Sequence, residues 1–167
     1  MNADELKALQ APLKDQYRST PESAVATLIA CGDLDIEQIA VHVRRESGAS
    51  CTPGMHPMAG GDGTFACAAE MMLEALIGCA GVTFAAVCTA MSIPIEAAEV
   101  EARGTLDFRG TLGVDRSTPV GFTKVEVEFR IRSDAPDATL AKAVELAERY
   151  CVVAQTLKEV HSGWRRL

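Results

Sequence analysis

No charged residue interrupts the run from Ala75 to Met91. A run this apolar has two physical solutions: a membrane span, or a helix buried at the centre of a folded domain. Its length sits at the lower limit for a span. Glu70 and Glu74 precede it, and no Lys or Arg flanks it as an interfacial anchor. It is also rich in small residues, among them Ala75, Gly78, Cys79, Ala80, Gly81, Ala85 and Ala86. In water, a helix that is apolar all round must be covered all round. The run therefore predicts a buried central helix over 65–91, ended by Pro94.

The segments around it read as a mixed α and β domain. In 121–132, Val125, Val127, Phe129 and Ile131 alternate with Glu126, Glu128, Arg130 and Arg132. That period of two describes a sheet with one wet face. A second strand is expected over 95–110, with Gly110 and Gly113 marking the turn between them. Residues 36–46 alternate Ile39, Val41 and Val43 against Ala40, His42 and Arg44, which suits a half-exposed strand. The apolar segment 23–32 ends in a turn signal and reads as another. Residues 47–64 hold too much Gly and Pro for regular structure and are expected to be a loop. A second helix is expected over 137–151, with Asp137 as N-cap. There Leu140, Val144, Ala147 and Cys151 share one face, so Cys151 falls on the buried side. Residues 1–22 form an N-terminal helical arm, with Leu6, Leu9, Leu13 and Tyr17 on one stripe. Pro12 predicts a kink or a two-piece helix there. The 167 residues then suit one domain over 23–167.

A net charge of −7 argues against a nucleic-acid surface and against binding to an anionic membrane. The opening Met1-Asn2-Ala3-Asp4-Glu5-Leu6-Lys7 has no basic segment followed by an apolar run, so a cytoplasmic protein is expected. In a reducing compartment the six cysteines read as buried thiols, ligands or redox groups rather than staples. No CxxC occurs, and Cys51, His56 and Asp62 match the spacing of no closed metal site, so no cofactor or metal is expected. Two cysteines have distinctive settings. Cys79 lies mid-way along the central helix between Gly78 and Ala80. Cys151 lies at the core-facing end of the second helix. Cys88 follows Cys79 by nine residues, which at about 100° per residue puts it on the opposite side of the same helix.

Glu70-Met-Met-Leu-Glu-Ala-Leu-Ile-Gly-Cys79 resembles the central-helix motif of the OsmC/Ohr family. Glu148-Arg-Tyr-Cys151-Val-Val-Ala-Gln-Thr156-Leu157 resembles its second cysteine motif, and Gly121-Phe-Thr-Lys-Val-Glu-Val resembles a strand between them. The resemblance runs from about Ala24 to Leu157. It implies an α+β fold in which antiparallel sheets wrap two long central helices of an intertwined homodimer. It also implies reduction of organic hydroperoxides by a thiol cycle, with Cys79 peroxidatic, Cys151 resolving and a dithiol as reductant. The family places an arginine in the loop before the central helix, held by a glutamate at the helix start. Here no Lys or Arg occurs between Arg45 and Arg103. His56 is the cationisable residue of the loop, Arg44 and Arg45 end the preceding strand, and Glu70 is the acidic residue at the helix start. A second expectation is a divergent, non-peroxidase member that binds a small apolar or electrophilic molecule at the dimer cleft.

Overall fold

The computed structural model describes residues 2–24, 31–35, 40–44, 51–157 and 160–166. Its centre is α2, Ala68–Ala90. The helix stops ahead of Pro94. The Met91 N–H returns to the Val87 carbonyl at 2.9 Å, and Ser92 takes a left-handed φ of 53°.

One stripe of α2, spaced by four residues, is sealed: Leu76, Ala80, Phe84 and Cys88. It packs on a three-stranded sheet of β5 (Ala97–Leu106), β6 (Phe122–Arg132) and β7 (Val160–Arg166), in the order β5-β6-β7. Alternation in β6 decides which face does the packing. Val125, Val127, Phe129 and Ile131 are buried, and the Phe129 ring meets Phe84 with centroids 5.0 Å apart. On the other face Arg130 is bracketed by Glu128 at 3.0 Å, Glu99 at 3.4 Å and Glu101. Pairs on this solvent-facing side are individually worth about 0–1 kcal/mol, so the inner face carries the stability.

β5 and β6 are antiparallel, as expected. β7 was not foreseen, and it runs parallel to β6. A parallel neighbour requires a crossover. That crossover contains α4 (Asp137–Tyr150), whose Leu140, Ala143, Val144 and Ala147 close the core. The N-cap of α4 is Pro136, not Asp137, because Asp137 is already helical and its carboxylate pairs with Arg166 of β7 at 2.5 Å. A carboxylate in the first turn is still favoured by the helix dipole.

The remaining elements refine the expected boundaries. The N-terminal arm is one helix, α1 (Ala3–Ser19), running through Pro12 rather than dividing there. Its start is fixed by a capping box in which Asn2 and Glu5 bond each other's backbone N–H at 2.9 Å. Pro21–Ala24 forms a 3-10 turn, and β1 covers Cys31–Asp35, so the strand expected over 23–32 begins near that segment's end. Residues 25–30 lie outside the described residues. β1 pairs antiparallel with β2, Ala40–Arg44, in the segment expected to be a strand. The loop expected over 47–64 holds a two-residue strand, β3 (Pro53–Gly54), and a 3-10 turn at Pro57–Ala59. β3 pairs with β4, Ala66–Cys67, just before α2. The turn after β5 contains α3, Phe108–Thr111.

By length and composition α2 could cross a membrane. Here it is a core helix with one open side. Glu74, Ala75, Gly78, Val82 and Ala85 are exposed, Val82 at 73%. Complete burial, the expectation from sequence, is not reached within one chain.

Candidate functional site

Cys79 and Cys151 are brought together by a break between two helices. The chain leaves α4 at Tyr150, and Cys151 adopts extended dihedrals of −75° and 110° before α5, Val152–Thr156, begins. Cys151 therefore caps both helices. Its Sγ accepts the Ala154 N–H at 3.4 Å, and its carbonyl accepts the Gln155 N–H at 2.9 Å. The sulfur sits in the core with no exposed surface. The break frees the N–H groups of the first turn of α5, which have no intrahelical acceptor.

Those groups turn toward Cys79, which is partly exposed on α2. Burial pushes the Cys79 thiol up. The Val153 N–H, the Cys151 thiol, the Val152 N–H and the Thr83 hydroxyl pull it down, and together they outweigh burial. The result is a thiol below its ordinary range, held by donors that carry no charge. Thr83, a turn further along α2, also donates to the Cys79 carbonyl at 2.8 Å, so its one hydroxyl proton is shared between the carbonyl and the sulfur of the same residue. Cys151 moves the other way. Burial pushes it up, the Ala154 N–H lowers it, and the Cys79 sulfur raises it through both a hydrogen bond and charge. This is the pattern of a nucleophile and its partner: the thiolate is the reactive form, and neutral donors aimed at a sulfur favour it.

The other sequence candidates lie elsewhere. Cys88, nine-tenths and more buried, is pushed up to about 11 by burial alone and stays a neutral core thiol. Glu70 is exposed in the first turn of α2. Nine residues of helix put it on the far side from Cys79 and about 13 Å along the axis, so it does not reach that sulfur within this chain. His56 stacks on Phe108, with centroids 4.9 Å apart and an interplanar angle of 27°. Its Nδ1 accepts the Met58 N–H at 3.1 Å, which leaves Nε2 to carry the proton of the neutral ring. Arg44 ends β2, and Arg45 lies outside the described residues.

His56 belongs instead to the wall of an apolar cavity of about 660 Å³, with Met55, Met72, Phe108, Phe122 and Leu157. Met72 stands two turns before Cys79 on the same side of α2, about 10 Å along the axis. The cavity was not legible in the sequence, because its walls come from four separate segments. The Thr83 hydroxyl was missed too, although its i+4 spacing from Cys79 was a usable signal.

The chain matches the family model described as OsmC-like protein over residues 61–162. It belongs to that family. The match spans Cys79, Cys151, α2, β5, β6 and the first three residues of β7. Solved structures agree on the fold. An OsmC-like protein from Mycoplasma pneumoniae superposes with a TM-score of 0.71 at 12% identity, covering 85% of this chain and 98% of that one. An OsmC-like protein of unknown function from Vibrio cholerae gives 0.69 at 16%, covering 84% and 100%. The organic hydroperoxide resistance protein OhrB of Bacillus subtilis gives 0.58 at 19%, covering 85% and 100%. No curated protein sequence matches the chain significantly. For this OsmC-like chain, identities so low establish the α+β fold and leave the chemistry to its own residues.

Proposed function

We propose that this OsmC-like protein is a thiol-dependent peroxidase that reduces organic hydroperoxides through Cys79 and Cys151. One observation carries the reading: the two cysteines are close enough to perturb each other, with Cys79 lowered and Cys151 raised. The Cys79 thiolate attacks the terminal oxygen of the hydroperoxide. The O–O bond breaks, the alkoxide leaves as an alcohol after taking a proton, and Cys79 becomes a sulfenic acid. Cys151 then attacks that sulfur. Water leaves, and a Cys79–Cys151 disulfide forms. A dithiol reductant restores both thiols by exchange. The apolar cavity beside His56 and Phe108 would take the body of the hydroperoxide. We infer further that the protein is a soluble cytoplasmic homodimer, in which a second copy covers the open face of α2 at Gly78, Val82 and Ala85.

A second reading is a non-peroxidase member that binds a small apolar or electrophilic molecule. It is favoured by the neutral set of donors around Cys79 among the described residues, where the expected loop arginine would have supplied a charge. Free-thiol counting after addition of cumene hydroperoxide separates the two. Loss of two thiols per chain, mapped to Cys79 and Cys151, supports the peroxidase. Unchanged thiols at stoichiometric peroxide would rule it out.

A further inference from the structure

We propose that the thiol which reduces the Cys79–Cys151 disulfide attacks the Cys79 sulfur and expels Cys151. The proposal rests on the two-cysteine cycle above and adds its direction. Exchange requires a thiolate to approach one sulfur along the line of the disulfide bond, so access is the first condition. Cys151 has no exposed surface and lies within the core cluster shared by α2, α4 and the sheet. Cys79 is partly exposed on α2 and lies near α5, whose first residue Val152 is 71% exposed. Of the two cysteines, only Cys79 therefore has exposed surface in this fold.

Leaving-group chemistry pulls the other way at first sight. The thiol of lower pKa leaves faster, and in the reduced pair that thiol is Cys79. The pair changes once the disulfide forms. Cys79 then carries no charge, so the hydrogen bond and the charge by which it raises Cys151 are gone. The Ala154 N–H, 3.4 Å from the Cys151 sulfur, and the Val153 N–H remain as donors to it. Burial still raises Cys151, but it leaves into donors that are already in place.

The step balances. A thiolate of the reductant forms a bond to the Cys79 sulfur, and the disulfide electron pair departs with Cys151, which takes up a proton. The second thiol of the reductant then attacks the reductant sulfur of this mixed disulfide. Cys79 is released as a thiolate, and the reductant is left as a disulfide. Two electrons pass to the protein.

The experiment forms the disulfide in the full chain with diamide, so that no peroxide chemistry is needed. A pulse of 2-mercaptoethanol is quenched with acid, and the adduct is located by peptide mass spectrometry. The expected result is at least tenfold more adduct on Cys79 than on Cys151. Adduct mainly on Cys151, an even split, or failure of diamide to join the two sulfurs overturns the proposal. Hydroperoxide consumption, measured separately on the reduced protein, judges the peroxidase reading. A Cys79 adduct without peroxide consumption would retain the direction of exchange and discard the peroxidase.

Discussion

Replacing Val82 by aspartate tests what covers the open face of α2. Val82 is 73% exposed in the single chain, and its neighbours on that face are small: Gly78 and Ala85. On a solvated face the change would cost at most about 0.5 kcal/mol, since surface substitutions away from special features have little effect. In a homodimer the same position is buried, and two terms appear. The buried valine loses about 1.5 kcal/mol of apolar burial. An unpaired carboxylate in an apolar interface adds about 3 kcal/mol or more. A two-fold axis imposes both terms twice, which totals about 9 kcal/mol, or roughly six decades in dissociation constant. Sedimentation velocity at micromolar protein should therefore show a dimeric parent chain and a monomeric Val82→Asp variant. Unchanged circular dichroism would show that α2 still folds. A variant that sediments as the parent does would refute the reasoning, as would a parent that is monomeric at these concentrations.

Other consequences concern the core and the thiols. Leu76→Ala empties a fully buried site between α2, α4 and the sheet and should cost about 2–5 kcal/mol, read from urea unfolding. Cys79→Ser should abolish hydroperoxide consumption, whereas Cys151→Ser should leave a sulfenic acid on Cys79 that dimedone labels. Cys88 should give the fold an alkaline limit. Between the ordinary thiol value of 9.0 and about 11 the folded chain keeps a proton that the unfolded chain loses, so stability falls as pH rises through this window. The loss amounts to about 3 kcal/mol, and Cys88→Ala should remove that pH dependence from chemical denaturation.

The parts of the fold legible in sequence are those governed by one element's own pattern. The uncharged run gave α2, and strict alternation from Val125 to Ile131 gave both β6 and the face it buries. Features set by contacts between distant segments were not legible. β7 is short and carries Arg165 and Arg166, so its apolar signal is weak, and it is specified by the parallel ladder to β6. The displaced cap of α4 has the same origin, because Asp137 is drawn to Arg166 from the far end of the chain. At the site, the pairing of Cys79 with Cys151 was expected from resemblance, but the donors around it were not. They are backbone amides, invisible in a sequence until the break at Cys151 frees them. Within one chain, helix geometry alone sets Glu70 apart from Cys79: nine residues give two and a half turns.

The break at Cys151 has a further consequence for how the pair ionises. The Val153 N–H serves both sulfurs, and the Cys79 thiolate itself opposes ionisation of Cys151. Of the two thiols, Cys79 therefore gives up its proton first. Two such groups titrate in steps that belong to the pair. Among the described residues this arrangement separates the roles with neutral donors: they favour the thiolate at partly exposed Cys79, while burial and that thiolate disfavour it at Cys151. Removing a donor should disturb the first of these. Thr83→Val deletes a hydroxyl that lowers Cys79, so the thiol should rise and its alkylation by iodoacetamide should shift to higher pH. Cys151→Ala deletes another donor and should shift it in the same direction, while Thr83→Ser should restore the parent profile. An alkylation profile for Thr83→Val that coincides with the parent would mean that the hydroxyl proton is held by the Cys79 carbonyl, and that the α5 amides and the Cys151 thiol sustain the thiolate without it.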